Sequence, residues 1–144
     1  MNYSKLLTSA MAAILLGAAA LAQLAMAQSD RVATTAGGVP YVSGGIGTTS
    51  TERLNSLAAD FNLKLVFALK AGDYLSGVEV IISDASGKTL LETRSEGPWL
   101  LARLPLGNYQ IVASFAGNAE RRTVTIGTEK LRTVDFRWAS EVKN

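Results

Sequence analysis

The chemistry open to this chain is limited first by two residue types that it lacks. The 144-residue sequence contains no histidine and no cysteine. A Ser–His–Asp triad, a Cys–His dyad and metal sites built from imidazole or thiolate ligands are therefore excluded. What remains is chemistry by carboxylates, by a serine–lysine dyad, or by an ion held on oxygen ligands.

Acidic residues that cluster in the sequence are the candidates for carboxylate chemistry or for a loop Ca²⁺ site. The cluster consists of Asp73, Glu79, Asp84, Glu92 and Glu96. Asp84 begins an Asp-Ala-Ser-Gly turn, in which Asp bonds to its own backbone and Gly takes a positive φ. Glu79 and Glu92 alternate with apolar residues and belong on the outer faces of strands, whereas the other two acids belong in loops. We therefore predict no catalytic residue and no metal site here.

Two further motifs match functional sequences only in part. Ser140-Glu-Val-Lys143 has Ser-x-x-Lys spacing, but it stands at the C-terminus without the Lys-Thr-Gly or Ser-Asp-Asn elements of that enzyme class,. Residues 44–50 are glycine-rich and precede a helical pattern. They lack the lysine of a P-loop and the third glycine of a dinucleotide fingerprint,. Neither motif predicts a nucleophile or a bound cofactor.

Exposed aromatic side chains are the remaining candidates for binding. Tyr109 and Trp138 occupy the apolar registers of alternating segments, so we expect both in the core,. Tyr74 lies in a loop and Trp99 follows Gly-Pro, which makes these two the predicted contacts for a ligand or partner. Two such rings exposed on one face would suit stacking against a sugar.

Short alternating apolar runs separated by turn signals must position these residues. Seven such runs follow one another across residues 62–138. Their clearest turns are Asp84-Ala-Ser-Gly87, Gly97-Pro98 and Pro105-Leu-Gly-Asn108. Short strands at this spacing predict an all-β, seven-stranded sandwich of two sheets.

A short helix is predicted ahead of the strands, over residues 49–61. Thr49-Ser-Thr-Glu52 has the spacing of a capping box, and apolar residues follow it at helical intervals,. We expect this helix to lie across one end of the sandwich. Residues 28–48 are rich in Gly, Ser, Thr and Ala, which predicts a flexible or loosely draped segment,. Residues 139–144 are assigned as a C-terminal tail.

The first 27 residues predict a secretory signal peptide. Lys5 supplies the positive charge, an apolar stretch covers residues 6–21, and Ala25-Met26-Ala27 gives the small-x-small cleavage pattern,. Cleavage is expected after Ala27, with Ala22 as the alternative site. These features predict a periplasmic or secreted protein without a stable membrane anchor after cleavage.

Charge excludes one class of partner. Loss of residues 1–27 removes Lys5 and leaves 13 basic against 12 acidic side chains. A net charge of +1 provides no long-range field to attract nucleic acid or an anionic membrane. We therefore predict no nucleic-acid partner.

Three segments together resemble the carboxypeptidase regulatory-like domain. They are Leu75-Ser-Gly-Val-Glu-Val80, Asp84-Ala-Ser-Gly-Lys-Thr-Leu90 and residues 97–112, and the most specific piece is Leu104-Pro-Leu-Gly-Asn-Tyr109. The resemblance covers residues 62–138 and departs from the family pattern at Ser95-Glu-Gly-Pro98. It implies a transthyretin-like (prealbumin-like) β-sandwich that serves as an accessory module, and it brings no catalytic residues.

The resulting hypothesis is a secreted, non-catalytic β-sandwich with an accessory or binding role at the periplasm or cell envelope. Its contacts with an unidentified protein would use a sheet edge or the end loops 71–76 and 94–99. The alternative is a carbohydrate-binding module that uses Tyr74 and Trp99. A hydrolytic enzyme is a third hypothesis, disfavoured by the missing histidine. No cofactor is predicted, and the sequence does not define the oligomeric state.

Overall fold

The fold is described for residues 30–139 by a computed structural model of the chain. The predicted signal peptide and the Ser140–Lys143 motif lie outside the described residues. Within residues 30–139, no helix has the length and apolar character needed to cross a membrane.

Two β-sheets face each other and form a sandwich, as the alternating pattern predicts. One sheet has five strands in the order β1-β2-β6-β3-β9, and the other has four in the order β5-β4-β7-β8. All neighbours are antiparallel except β3 and β9, which are parallel. The strands are β1 (Ala33–Thr34), β2 (Pro40–Gly44), β3 (Leu63–Leu69), β4 (Glu79–Asp84), β5 (Thr89–Arg94), β6 (Trp99–Ala102), β7 (Gly107–Phe115), β8 (Asn118–Ile126) and β9 (Arg132–Trp138).

The predicted count of seven strands is corrected to nine, because the glycine-rich segment contributes β1 and β2. We expected residues 28–48 to be flexible, but β2 pairs with β6 along four residues, with Val42 opposite Leu101. Val39 and Val42 are both buried. Burial of these two side chains and the hydrogen bonds to β6 stabilise a segment whose composition alone favours disorder.

The core lies between the sheets and is built from the inward-facing residues of the strands. Leu63, Leu65 and Phe67 of β3 alternate with outward-facing residues, and all three are fully buried. Tyr109 and Trp138 are also buried, which confirms their predicted place in the core. The Tyr109 hydroxyl donates a hydrogen bond to the Pro105 carbonyl (2.6 Å), so burial leaves no unpaired group,.

The helix α1 spans Gly47–Leu57 and continues into a 3-10 turn at Ala58–Asp60. The predicted capping box is wrong, because the helix begins after Ile46 and no side chain caps it. Nor does the helix lie across the end of the sandwich. Leu54 packs with Val42 and Leu101 on the outer face of the five-stranded sheet. The helix therefore covers half of that outer face and leaves the other half open.

Candidate functional site

Three connections meet at one end of the sandwich and are fixed there by a buried serine. Ser95 is 4% exposed, and its hydroxyl accepts a hydrogen bond from the Val78 N–H (3.0 Å). Its own N–H donates to the Val78 carbonyl, and its carbonyl accepts from the Gly77 N–H. Ser43 adds a bond by accepting from the Glu96 N–H (2.8 Å). These bonds hold the loops after β3 and β5 in defined positions.

Tyr74 extends the five-stranded sheet beyond the end of β6. The Leu69 N–H donates to the Asp73 carbonyl (2.8 Å) and the Leu75 N–H to the Phe67 carbonyl (3.0 Å), which places Tyr74 directly opposite Ala68. Directly opposed residues of an antiparallel pair share a face. Ala68 follows the inward-facing Phe67, so Tyr74 projects from the outer face, where 66% of it is exposed.

A shallow groove of about 360 Å³ lies beside Tyr74. Ile46, which is 65% exposed, and Pro98 line it together with Gly45, Gly47, Leu75 and Ser76. Tyr74 and Ile46 are both exposed beside this groove, whereas Pro98 is buried. We call Tyr74, Ile46 and Pro98 with this groove the end surface.

Trp99 lies on the same outer face as Tyr74 but in a different environment. It stands opposite Val66 in β3 and Gly44 in β2, and its side chain is half-buried. The Lys64 ammonium lies 3.5 Å from the centroid of the indole ring, a cation–π contact,. Burial lowers the pKa of Lys64, while the carboxylate of Asp135 opposes that shift. One face of the Trp99 ring is therefore already covered by a cation.

The register of β3 thus brings together the two aromatic residues that the sequence singled out. Their partners, Ala68 and Val66, are two residues apart on one face of β3,. Tyr74 is exposed on this outer face, whereas Trp99 also packs against the cluster that contains Leu54 of α1. The sequence did not identify Ile46 or Lys64 as neighbours. Lys64 follows the outward register of β3, but its position over Trp99 depends on how β3 and β6 align.

The clustered acids have the structural roles that the sequence indicated. One carboxylate oxygen of Asp84 accepts hydrogen bonds from the Ser86 hydroxyl (2.7 Å) and from the N–H groups of Ser86 and Lys88. These bonds, the one from the Ser86 hydroxyl foremost, hold the pKa of Asp84 below its ordinary value. Glu79 and Glu92 are exposed on strands. Among residues 30–139, no three acidic side chains come together as metal ligands.

Comparison with known proteins gives a fold-level similarity only. No family model matches the sequence, and no curated protein matches it. Two crystal structures of BcpA, the major pilin subunit of Bacillus cereus, are similar, with TM-scores of 0.43 and 0.41 and sequence identities of 17% and 16%. Each match covers 52% of this chain and 28% of the pilin chain.

At that level of similarity the strand pairing of this chain is the basis for its fold assignment. The β-sandwich implied by the carboxypeptidase regulatory-like resemblance is confirmed by the two sheets. Membership of that family stays a prediction.

Proposed function

We propose that this protein is a secreted, non-catalytic β-sandwich module that acts by binding a protein partner in the periplasm or cell envelope. The end surface is the contact site. The observation that carries this proposal is the exposure of Tyr74 beside Ile46, at the end of the sandwich where the buried Ser95 fixes the loops after β3 and β5. A rigid apolar surface loses little conformational freedom on binding, so its burial contributes directly to affinity.

The chemistry of the chain supports a binding role over a catalytic one. Without histidine or cysteine, a hydrolytic site would need carboxylates facing each other across a cleft. Asp84 is instead committed to its turn, and Glu79 and Glu92 lie exposed on strands. The resemblance to an accessory domain family points the same way, and so does the apolar N-terminal segment typical of exported proteins.

The test is affinity capture from a periplasmic extract of the source cells, with quantitative mass spectrometry of the captured proteins. The tagged protein is compared with Tyr74→Ala and with Leu106→Ala. Leu106 is also 66% exposed, but it lies in the turn between β6 and β7 at the opposite end of the sandwich. The proposal expects one dominant partner that Tyr74→Ala loses by about tenfold or more and that Leu106→Ala retains. Equal capture by both variants would contradict it.

A carbohydrate-binding role is the second candidate, because Tyr74 and Trp99 share the outer face of the five-stranded sheet. Stacked aromatic rings are a common way to hold a sugar. Affinity electrophoresis through gels containing soluble polysaccharides tests this role directly. Retardation should disappear in the Tyr74→Ala, Trp99→Ala double variant and persist in Tyr74→Phe, which keeps the ring. If no polysaccharide retards the native protein, this candidate is excluded.

A further inference from the structure

A second surface lies away from the end surface, where the edge of one sheet meets the edge of the other. β1 is the edge of the five-stranded sheet and β5 is the edge of the four-stranded sheet. The two edges approach closely at one point. There the Thr35 hydroxyl donates a hydrogen bond to the Leu90 carbonyl (2.7 Å), and a Cβ on Gly37 would stand 2.9 Å from that same oxygen.

Toward the other end of β5, the Thr93 hydroxyl donates to the Tyr41 hydroxyl of β2 (3.5 Å), and the Glu96 N–H donates to the Ser43 hydroxyl (2.8 Å). The space between the two edges is a groove of about 370 Å³, which we call the β1–β5 groove. Val32, 48% exposed, and the half-buried Tyr41 form its apolar part. The other residues along it are Arg31, Ala33, Ser43, Thr93, Arg94 and Glu96.

Unpaired main-chain groups of β5 lie along this edge, at Arg94 beside the groove and at Glu92 beside a second pocket that Thr35 and Leu90 line. Successive residues of an antiparallel strand direct their N–H and C=O groups alternately toward the two sides. The Ser95 N–H donates to the Val78 carbonyl, on the side of β4. The Leu90 carbonyl accepts from the Thr35 hydroxyl, on the opposite side of β5. By the same alternation, Glu92 and Arg94 direct their N–H and C=O groups to the open side. Among residues 30–139, no residue outside β4 and β5 forms a hydrogen bond with these four groups.

The edge of β8, by contrast, is protected. Glu120 and Arg122 of β8 stand opposite the inward-facing Ala113 and Ile111, and they form an ion pair (3.5 Å). The Arg122 guanidinium also lies 5.3 Å from the ring centroid of Phe136 in β9. Inward-pointing charges of this kind prevent another strand from adding to an edge. On β5, the inward-facing residues are Leu91 and Thr93, so this edge has no such protection.

We propose that the β1–β5 groove binds an extended segment of a protein partner, which pairs as an added strand with Glu92 and Arg94 of β5. Alternate side chains of an added strand point to opposite sides, so one would contact Val32 and Tyr41. Arg31, Arg94 and Glu96 flank the open end, and Glu79 and Glu92 lie beside Arg94 on the outer face of β4 and β5. These charges offset one another, so the unpaired main-chain groups and the apolar pair select an uncharged extended segment.

A seven-residue peptide of alternating valine and threonine, blocked at both ends, is the probe. The protein is expressed from its full coding sequence with ¹⁵N labelling, and the peptide is titrated while amide chemical shifts are recorded. We expect the largest shift changes at Glu92 and Arg94, with smaller ones at Val32. Two control peptides accompany it. One is N-methylated at alternate residues to remove its main-chain donors, and one has serine in place of valine to remove the apolar contact with Val32 and Tyr41; both should bind about tenfold more weakly.

Two variants connect the binding to the proposed contacts. Glu92→Pro removes a main-chain donor on the open side and leaves the ladder to β4 intact, so it should weaken binding of the valine–threonine peptide by about tenfold or more. Val32→Asp places a charge in the apolar part of the groove and should weaken binding of the valine–threonine peptide more than that of the serine peptide. Val32→Asp keeps every main-chain group of β5 and therefore tests the groove even if Glu92→Pro does not fold.

Several outcomes would overturn the proposal. Shift changes confined to β8, or to Tyr74, would place strand addition elsewhere. Equal binding of the N-methylated peptide would show that main-chain pairing is not involved. Absence of shift changes at millimolar peptide would reject the groove as a site for such segments. The amide shifts of Glu92 and Arg94 could also change with protein concentration in the absence of peptide. If sedimentation then showed a dimer, the edge would be assigned to a second copy of this chain.

Discussion

The two seams of the sandwich, where the edges of its sheets meet, are closed by very different means. At the β8–β9 seam, the Trp138 ring lies 6.0 Å from Phe115 and 6.2 Å from Phe136, and Phe136 lies 5.9 Å from Phe67. The Trp138 indole N–H donates to the Asn118 carbonyl (3.0 Å). At the β1–β5 seam, the Thr35 hydroxyl and Gly37 approach the Leu90 carbonyl, and the Thr93 hydroxyl donates to the Tyr41 hydroxyl (3.5 Å).

The two seams differ in how much they stabilise the fold and in how accessible they leave the main chain. Aromatic side chains bury large apolar areas and contribute strongly to the free energy of unfolding. Small residues contribute little, but they leave main-chain groups within reach of another chain. A sandwich with one seam closed by aromatic rings can therefore leave the other seam open for binding without losing its fold.

Replacing the central ring of the closed seam should produce the largest loss of stability. Trp138→Ala removes a buried side chain that contacts Phe67, Phe115 and Phe136, and it removes the bond to Asn118. We expect a decrease of about 3–5 kcal/mol in the free energy of unfolding, measured by urea denaturation. The matched change at the open seam, Val32→Ala, should alter it by less than about 0.5 kcal/mol. Similar losses in the two variants would remove the distinction between the seams.

Proline substitution at adjacent positions of β5 should give the next largest difference. Thr93 directs its N–H to Val80 of β4, so Thr93→Pro breaks the ladder and leaves a carbonyl unpaired. We expect a loss of about 2–3 kcal/mol. Glu92→Pro removes only an N–H on the open side and should reduce stability by less than about 1 kcal/mol. Thermal unfolding followed by circular dichroism measures both. A larger loss of stability for Glu92→Pro would mean that the Glu92 N–H, and not the Thr93 N–H, faces β4.

The contact at Gly37 tests how tightly the open seam is held at its closed point. A methyl group there would stand 2.9 Å from the Leu90 carbonyl oxygen and 3.2 Å from its Cα, so the two edges must separate. We expect Gly37→Ala to lower the free energy of unfolding by about 1–3 kcal/mol. Ala36→Ser, at the exposed neighbouring position, is the control and should change it by less than about 0.5 kcal/mol. An unchanged stability in Gly37→Ala would show that the edges do not touch in solution.

The parts of this fold that the sequence predicts well depend on local patterns. Seven strands, the Asp84 turn and the buried positions of Tyr109 and Trp138 all follow from alternation of apolar residues and from turn chemistry. These signals are contained within a few residues of the chain, and no distant contact overrides them.

The parts that the sequence misses depend on distant partners. β2 is a strand because Val42 meets Leu101 of β6 and Leu54 of α1, a contact that its glycine-rich composition does not reveal. The capping box fails because the helix already begins at Gly47, which places Thr49 inside its first turn. The Ser50 hydroxyl, which donates to Asp30 (2.6 Å) and accepts from the Gly45 N–H (2.7 Å), joins this earlier start to distant and preceding residues. Both errors arise where a tertiary contact outweighs a local preference.

The candidate site depends on both local sequence patterns and distant contacts. Loop position and the Gly-Pro step were sufficient to select Tyr74 and Trp99, but their common face depends on the register of β3 against its neighbours. The β1–β5 groove could not be foreseen, since one of its walls belongs to a segment predicted to be flexible.

The smallest effect is expected at the hairpin turn that sets the position of the β5 edge. The hydrogen bonds to Asp84, led by that of the Ser86 hydroxyl, lower its folded-state pKa, so its charge stabilises the fold above the unfolded-state pKa,. This contribution is lost as the pH falls through the folded-state pKa. Asp84→Asn should therefore lower Tm by about 1–2 °C at pH 7, and the difference should vanish once the pH falls below the folded-state pKa. Ser86→Ala, which removes the leading hydrogen bond, should shift the acid-induced loss of stability to higher pH. If the difference in Tm for Asp84→Asn persists undiminished in acid, the turn depends on the shape of the side chain and not on its charge.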